Sequence, residues 1–163
     1  MSSSPDPPAS RSRRRRSAAQ APEVVDVDHS FDANGLYALR ATLAAHASEL
    51  GATDQQIEHL IIVGSELANN AVRHGGGSGR LRLWHHGSTL YCQVTDQGPG
   101  IADPTVGHSR PDPRSSDAGR GMWICRRLTT ELIIENGPDG RGTVVTAAIP
   151  APKIRQPGPD ALR

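Results

Sequence analysis

Hydrophobic and polar positions change their spacing several times along the first half of the chain. An alternating pattern over residues 24–31 predicts a short edge strand. Leucines and alanines three or four positions apart then predict a helix over residues 33–50. A second helix is expected to begin after Thr53, because Gln56 is placed to complete a capping box, and to run to His74. The first half therefore contains one strand followed by two helices.

The second half of the chain is richer in strands. Two alternating runs, 80–86 and 89–96, predict a hairpin, and a third helix is expected to begin near Gly121. Two last strands, over residues 131–136 and 142–149, are joined by a Gly-Pro-Asp-Gly turn. This order of elements predicts an α+β fold: a two-layer helix/sheet sandwich whose sheet is mixed and mostly antiparallel, with the helices on one face.

Composition divides the chain into three parts. Residues 1–22 are rich in Pro, Ser and Arg and predict a disordered basic tail, and residues 151–163 predict a loose C-terminal tail. Residues 23–150 form the expected folded domain. The first tail holds five of the 18 basic residues and one of the 17 acidic ones, so the remaining chain carries a net charge of about −3. We therefore expect no direct binding of nucleic acid by the domain.

Several classes of protein are disfavoured by the same composition. No apolar run approaches the roughly 20 residues that cross a bilayer, and no apolar segment follows the N-terminal arginines as it would in a secretory signal. The two cysteines, Cys92 and Cys125, lie in apolar segments and not at the spacings of a disulfide framework or a zinc site. These features favour a cytoplasmic protein that does not associate with membranes.

The second helix carries the first candidate site. Glu66 and Asn70 are one helical turn apart and lie opposite an apolar stripe, although Ile62 and Val63 flank them. A carboxamide oxygen can ligate Mg²⁺, and a carboxylate can accept a proton. An ordinary exposed helix face is the alternative, because Glu and Asn at this spacing are common there. The stripe comprises Ile57, Leu60, Ile61, Gly64, Ala68 and Ala71.

The motif Asp-x-Gly-x-Gly closes the strand predicted over residues 89–96. Asp96 ends the inward-facing row of that strand, and a buried carboxylate needs hydrogen-bond donors. The exocyclic amine of adenine would supply one. Gly98 and Gly100 allow the backbone to approach a flat ligand closely. A turn that caps the strand is the alternative.

A glycine-rich segment opens the third helix after a long connection. Gly119, Arg120 and Gly121 place backbone N–H groups and a cation at a helix N-terminus, which favours an anion such as phosphate. A Gly-x-Gly before a helix is common, so this pattern alone is weak. The connection, residues 101–118, exceeds the usual length of a structureless loop and predicts a lid over the phosphates. Ordinary disorder is the alternative.

The order of these motifs is more specific than any one of them. The set E-x-x-x-N, D-x-G-x-G, G-x-G and a later Gly-Thr resembles the N box and the two glycine boxes of the GHKL ATPase superfamily. Within that superfamily, the short chain and the segment ELANNAVRHG resemble the RsbW-type anti-sigma factor serine/threonine kinases. The resemblance covers residues 24–149 and implies the Bergerat fold of the histidine-kinase-like ATPases.

The resemblance also implies a role for each motif residue in binding ATP and Mg²⁺. Glu66 would be the general base that activates the target hydroxyl, Asn70 would ligate Mg²⁺, and Asp96 would accept a hydrogen bond from the adenine amine. Thr143 would support Asp96, and Met122 stands where Leu or Phe is commoner. The implied nucleotide-binding residues are Asn70, Asp96, Gly98, Gly100, Gly119, Arg120, Gly121, Met122 and Thr143.

The implied function is that of an ATP-dependent serine/threonine kinase. It would phosphorylate a STAS-domain anti-anti-sigma protein and, in its other state, bind a sigma factor. Arg40 on the first helix is a candidate contact, and a homodimer is a possible assembly. An ATP-binding regulatory module without phosphotransfer is the alternative. The catalytic domain of a histidine kinase is less favoured, because no helices with a phospho-acceptor histidine precede the domain.

Overall fold

The computed structural model of the protein describes residues 20–22, 25–114 and 119–151. The helices and strands, in chain order, are β1 (Val27–Asp32), α1 (Leu36–Glu49), α2 (Asp54–His74), β2 (Ser78–His86), β3 (Thr89–Thr95), α3 (Arg120–Leu128), β4 (Glu131–Asn136) and β5 (Thr143–Pro150). Apart from residues 20–22 and residue 151, the two predicted tails lie outside the described residues, so their disorder stays a prediction.

The five strands form one sheet in the order β1-β2-β3-β5-β4. The edge position predicted for the first strand is confirmed, because β1 pairs only with β2 in that order. Each neighbouring pair is antiparallel. The described strands therefore include no parallel pair, whereas the prediction was a mixed, mostly antiparallel sheet. The reason is that β4 and β5 form a second hairpin whose β5 arm pairs antiparallel with β3.

The three helices pack against the sheet, and α2 is the central one, since it contacts both α1 and α3. The core between the layers is aliphatic, as expected for a chain with only 3% aromatic residues. Its most deeply buried members are Leu39, Leu43, Leu60, Leu67, Leu81, Leu83, Ile149, Val63, Cys92 and Cys125. Among the described residues, no helix is long and apolar enough to cross a membrane.

The start of α2 is set by the capping box that the sequence predicted. The hydroxyl of Thr53 accepts a hydrogen bond from the backbone N–H of Gln56 at 3.2 Å, and the Gln56 side chain accepts one from the N–H of Thr53 at 3.2 Å. The buried amide of Gln56 also donates to the carbonyl oxygens of Ser88 (3.0 Å) and Ile149 (3.3 Å). One side chain thus joins the helix start to the β2–β3 turn and to β5.

The start of α1 falls later than the predicted residue 33. The Asp32 carboxylate accepts hydrogen bonds from the N–H groups of Asn34 (2.9 Å) and Gly35 (3.1 Å). These bonds hold Ala33–Gly35 in a tight 3₁₀ turn, so the α-helix begins at Leu36. An aspartate that precedes a helix commonly competes for its first amides in this way.

Both thiols belong to the core. Burial raises the pKa of Cys92 to about 12, and burial together with the charge of Glu66 raises the pKa of Cys125 to about 12. The Cys125 thiol lies 3.9 Å from the carbonyl oxygen of Val63 on α2. Neither sulfur is therefore a nucleophile near neutral pH.

Candidate nucleotide-binding site

A cavity of about 430 Å³ lies between α2, the adjoining ends of β3 and β5, and the segment that follows β3. Its volume is within the usual range for small-molecule sites. Apolar side chains form much of its wall, including Leu67, Val94 and Val145. Five residues that the motifs predicted also line it: Asn70, Asp96, Gly119, Met122 and Thr143.

A second cavity of about 310 Å³ adjoins the first. Glu66, Arg120 and Gly121 line it, so it lies between the middle of α2 and the first turn of α3. Asn70 and Arg73 line both cavities and therefore mark the passage between them. The two cavities together gather eight of the ten predicted site residues; Gly98 and Gly100 line neither.

Asp96 is held by backbone groups from two segments. Its Oδ1 accepts hydrogen bonds from the N–H of Gly98 at 2.9 Å and from the N–H of Thr143 at 3.1 Å. The Asp96 N–H in turn donates to the Thr143 carbonyl at 3.0 Å. The backbone of Thr143 thus contacts the aspartate directly. Among the described residues, none donates to Oδ2, which leaves that oxygen as the acceptor for a ligand.

Two further glycines pack against Asp96: Gly75, which the motifs did not include, and Gly142, the glycine of the Gly-Thr motif. A side chain at Gly75 would collide with the Asp96 side chain, and one at Gly142 would collide with the Asp96 carbonyl. Gly142 also has a φ of +72° and donates its N–H to the Gly98 carbonyl at 2.7 Å. Gly98 fills the remaining space, since a Cβ there would lie 2.6 Å from the Gly75 Cα.

We expect the variant Gly75→Ala to lose nucleotide affinity. Gly75 has a φ of −104°, which alanine adopts readily, so the defect comes from the new Cβ pushing the Asp96 side chain aside. The dissociation constant should rise at least about tenfold, the value of one lost charge-assisted hydrogen bond. Fluorescence titration with an ADP analogue measures it.

The neighbouring variant Gly77→Ala is the matched control. Gly77 has a φ of +91° but a Cβ there meets nothing within 4 Å. This variant should lose about 1 kcal/mol of folding stability from the left-handed backbone and bind nucleotide normally. Equal affinities for the two variants would show that Gly75 is only a helix stop.

Glu66 and Asn70 are both half-buried on α2. The prediction set them opposite the apolar stripe, but Val63 and Leu67 are fully buried, so the buried face of α2 extends to their side. The cause is α3, which packs on α2 there. The Glu66 carboxylate lies against Gly121, where a Cβ would collide with its Oε2. Glycine at 121 therefore lets the first turn of α3 approach the carboxylate.

The N-terminus of α3 suits an anion. Gly119 caps it with a φ of +87° and without a side-chain hydrogen bond. A Cβ on Gly119 would meet nothing within 4 Å, so the space beside it is open. The first amides of an α-helix have no partner within the helix, and here Arg120 and Gly121 border the second cavity. Phosphate is the ligand such a helix start favours.

The donor set fits a magnesium ion bound together with phosphate. The described residues include no group of three or more His, Cys, Asp or Glu side chains that could hold a metal by themselves. Asn70 lies where the two cavities meet and offers one neutral oxygen. Mg²⁺ commonly keeps several waters and binds through few protein oxygens plus substrate phosphates. Asn70 would hold it, with phosphates and water completing its shell.

The segment after β3 carries contacts that the sequence did not predict. The N–H of Ile101 donates to Oδ1 of Asn136 on β4 at 2.9 Å, and a Cβ on Gly100 would lie 2.8 Å from the same oxygen. Gly100 therefore shapes the loop beside the cavity and does not line it. Ile101 and Val106 do line it. The predicted lid is described over residues 101–114 and lies outside the described residues at 115–118.

The two layers and their connections define a histidine-kinase-like ATPase fold, and solved structures of low identity share it. The RsbU and RsbW domains of Rv1364c from Mycobacterium tuberculosis align with a TM-score of 0.54 at 21% identity, over 78% of this chain and 34% of that one. A chain of the SiaB–SiaC complex from Pseudomonas aeruginosa aligns with a TM-score of 0.58 at 12% identity, over 90% of this chain and 100% of that one. The mycobacterial sensor histidine kinase MprB aligns with a TM-score of 0.50 at 17% identity, over 76% of this chain and 97% of that one.

Residues 30–149 match the family of the histidine kinase-like ATPase domain, and the chain belongs to that family. A domain of this family binds ATP, generally with Mg²⁺. The resemblance to RsbW-type proteins is confirmed by similarity to anti-sigma F factors. That of Thermoanaerobacter sp. (strain X514) is 28% identical over 116 residues, which are 65% of this chain and 78% of that protein.

Sensor kinases are also similar over the same domain. The histidine-protein kinase AfsQ2 of Streptomyces coelicolor is 30% identical over 117 residues, or 62% of this chain. The chain spans 22% of the length of AfsQ2 and 17% of that of the C4-dicarboxylate transport sensor protein DctS of Rhodobacter capsulatus. The shared part of these relatives is thus one domain of a longer protein.

Proposed function

We propose that the protein is an Mg²⁺-dependent serine/threonine kinase that transfers the γ-phosphate of ATP to a STAS-domain anti-anti-sigma protein. The observation that carries this proposal is the pair of adjoining cavities. Asp96 lines one, Glu66 lines the other, and Asn70 lies on the wall of both. A nucleotide with its base at Asp96 would extend its phosphates past Asn70 toward the Glu66 carboxylate.

Phosphoryl transfer needs positioning and charge neutralisation more than covalent chemistry. In the proposed reaction Glu66 accepts the proton of a partner Ser or Thr hydroxyl. The hydroxyl oxygen then bonds to the γ-phosphorus, and the bond from that phosphorus to the β–γ bridging oxygen breaks, which releases ADP. Mg²⁺, when bound at Asn70, neutralises phosphate charge. The amides of the first turn of α3 and Arg120 bind the phosphates.

The base end of the nucleotide would be recognised by Asp96. Its Oδ2 would accept a hydrogen bond from the adenine amine, while the N–H groups of Gly98 and Thr143 donate to Oδ1. Met122, which is buried, packs against the base from the side of α3. The glycines at 98, 100 and 121 serve the same site by bringing backbone close to Asp96, Asn136 and Glu66 respectively. Gly119 serves it differently, since its φ of +87° caps α3 and leaves the space beside the helix start open.

The proposed partners are a sigma factor and its antagonist. Anti-sigma F factors match this chain over 78% of their own length, which supports a protein of the same type. Arg40 is exposed on α1, and its Nε donates to the Ser65 hydroxyl at 2.9 Å, one residue before Glu66. A partner that binds α1 would therefore lie beside the phosphate end of the site. We further propose that the protein acts in the cytoplasm and as a homodimer.

The test is transfer of labelled γ-phosphate from ATP to STAS-domain proteins of the same genome, purified one by one. We expect one of them to gain one phosphate on Ser or Thr per ADP formed, only with Mg²⁺, as mass spectrometry would show. Tight ATP binding with no transfer to any of them would contradict the kinase. It would support the alternative of a regulatory module in which ATP only selects the bound partner.

A further inference from the structure

Arg126 on α3 is joined to the segment that forms one wall of the first cavity, called the base cavity here because Asp96 would bind the adenine base in it. Its guanidinium donates hydrogen bonds to the carbonyl of Val106 at 2.9 Å, to that of Pro104 at 3.0 Å and to that of Leu132 at 3.4 Å. Two of these acceptors belong to the loop after β3, and the third belongs to β4. Arg126 itself does not line the base cavity.

The loop that Arg126 holds is also folded on itself and against α3. The Asp103 carboxylate accepts bonds from the N–H (2.8 Å) and hydroxyl (2.6 Å) of Thr105, and the Val106 N–H donates to the Asp103 carbonyl at 3.3 Å. A Cβ on Gly107 would lie 2.6 Å from the Met122 carbonyl carbon. The Val106 side chain thereby comes to the cavity wall near Met122.

We propose that Arg126 is the positioning residue of the base cavity: by binding the carbonyls of Pro104 and Val106, it holds the lid-side wall in place for the nucleotide. This inference rests on the proposed function, because it assumes that the cavity takes ATP. Arginine suits the task since its planar guanidinium offers five N–H donors in a fixed fork. A lysine ammonium at this position could serve these three separated carbonyls only in part.

The adjacent Arg127 supplies a matched comparison. Its guanidinium lies 5.3 Å from the centre of the Trp123 ring, and Arg110 of the loop lies 5.9 Å from the same ring. Arg127 is exposed and lines neither nucleotide cavity. The substitutions Arg126→Lys and Arg127→Lys therefore make the same chemical change on the same helix, and only the first removes bonds to the loop.

The experiment measures nucleotide affinity and steady-state kinetics for both variants. We expect Arg126→Lys to raise the dissociation constant for ATP and ADP, and KM for ATP, about tenfold, with kcat within about twofold of wild type. Arg127→Lys should bind as wild type does. Equal affinities for the two variants, or a loss of kcat at unchanged KM, would overturn the assignment.

Hydrogen exchange without nucleotide tests the same idea independently of activity. In the wild type, amides of residues 101–108 should exchange more slowly than those of residues 109–114, and Arg126→Lys should reduce that difference. Equal rates in the wild type would overturn the inference even if the variant failed to fold. If the wild type binds no nucleotide, the proposed function itself is contradicted. If the wild type binds nucleotide and Arg126→Lys binds it with the same affinity, only the positioning role of Arg126 is contradicted.

Discussion

Asp96→Asn is expected to lower the affinity for ATP roughly 100-fold, about the value of a hydrogen bond to a charged group. In the wild type, Oδ1 accepts hydrogen bonds from the backbone N–H groups of Gly98 and Thr143. When an adenine amine donates to Oδ2, both oxygens of the carboxylate must therefore be acceptors. Asparagine has one acceptor and one donor end. Whichever way it turns, its NH₂ faces another N–H group, either from the backbone or from adenine.

Nucleotide selectivity separates this effect from a general loss of structure. Guanine presents a carbonyl oxygen where adenine presents its amine, so the wild type should prefer ATP to GTP. In Asp96→Asn the NH₂ can pair with that carbonyl, and the preference for ATP should shrink or invert. Competition of ATP and GTP against a fluorescent ADP analogue measures the ratio.

Asp54→Asn is the control for the same substitution. Asp54 is exposed in the first turn of α2, about 30 Å along the helix from His74 by the usual rise per residue. The substitution Asp54→Asn should leave the affinity for ATP and the preference for ATP over GTP unchanged. If Asp96→Asn binds ATP within about threefold of wild type, which is well under the value of a hydrogen bond to a charged group, then Asp96 does not recognise the adenine base.

Local signals predicted much of the fold. The capping box of Thr53 and Gln56 lies within four residues, and its hydrogen bonds depend on nothing distant. The same holds for the hairpin turn at Gly87 and for the helix that starts beside Gly119. The buried face of α2 was harder, because α3 packs on it from 60 residues away in sequence and buries Val63 and Leu67. Helical periodicity contains no information about that second neighbour.

The candidate site also has residues that local motifs predicted and residues whose roles depend on distant contacts. Motif spacing brought Asn70, Asp96 and Gly121 to attention, and the structure places all three along two joined cavities. Sequence reasoning missed Gly75 and Asn136, whose roles arise from contacts with segments 21 and 36 positions distant along the chain. Arg73 was missed as well, although it follows Asn70 by three positions on the same helix. That spacing was the one available signal, because residues three apart share a helix face.

Glu66→Gln is expected to remove phosphotransfer and to preserve nucleotide binding. Glutamine has nearly the same shape, so it can occupy the space beside Gly121, but it cannot accept the proton of a hydroxyl. Loss of a general base lowers the rate by about 10²- to 10⁴-fold. The dissociation constant for ADP should stay within about threefold of wild type, since the substitution changes no hydrogen bond to the adenine base or to Asn70. Single-turnover transfer to the proposed STAS-domain partner measures the rate.

Glu58→Gln serves as its control, since Glu58 is exposed on α2 two turns earlier and lines neither cavity. It should transfer phosphate at the wild-type rate. Full transfer by Glu66→Gln would exclude this residue as the base and leave the carboxylate a packing role against Gly121. Binding of the proposed sigma factor should survive in Glu66→Gln, because binding requires no proton transfer.

Because Asp96 and Glu66 line different cavities, their substitutions should affect different kinetic constants. Asp96→Asn removes binding that substrate and transition state share, so KM rises and most of the rate returns at high ATP concentration. Glu66→Gln removes an interaction made during transfer, so kcat falls and no ATP concentration restores it. If saturating ATP restored the rate of Glu66→Gln, the carboxylate would act in binding ATP, and the general base would have to be sought among the other residues that line the second cavity.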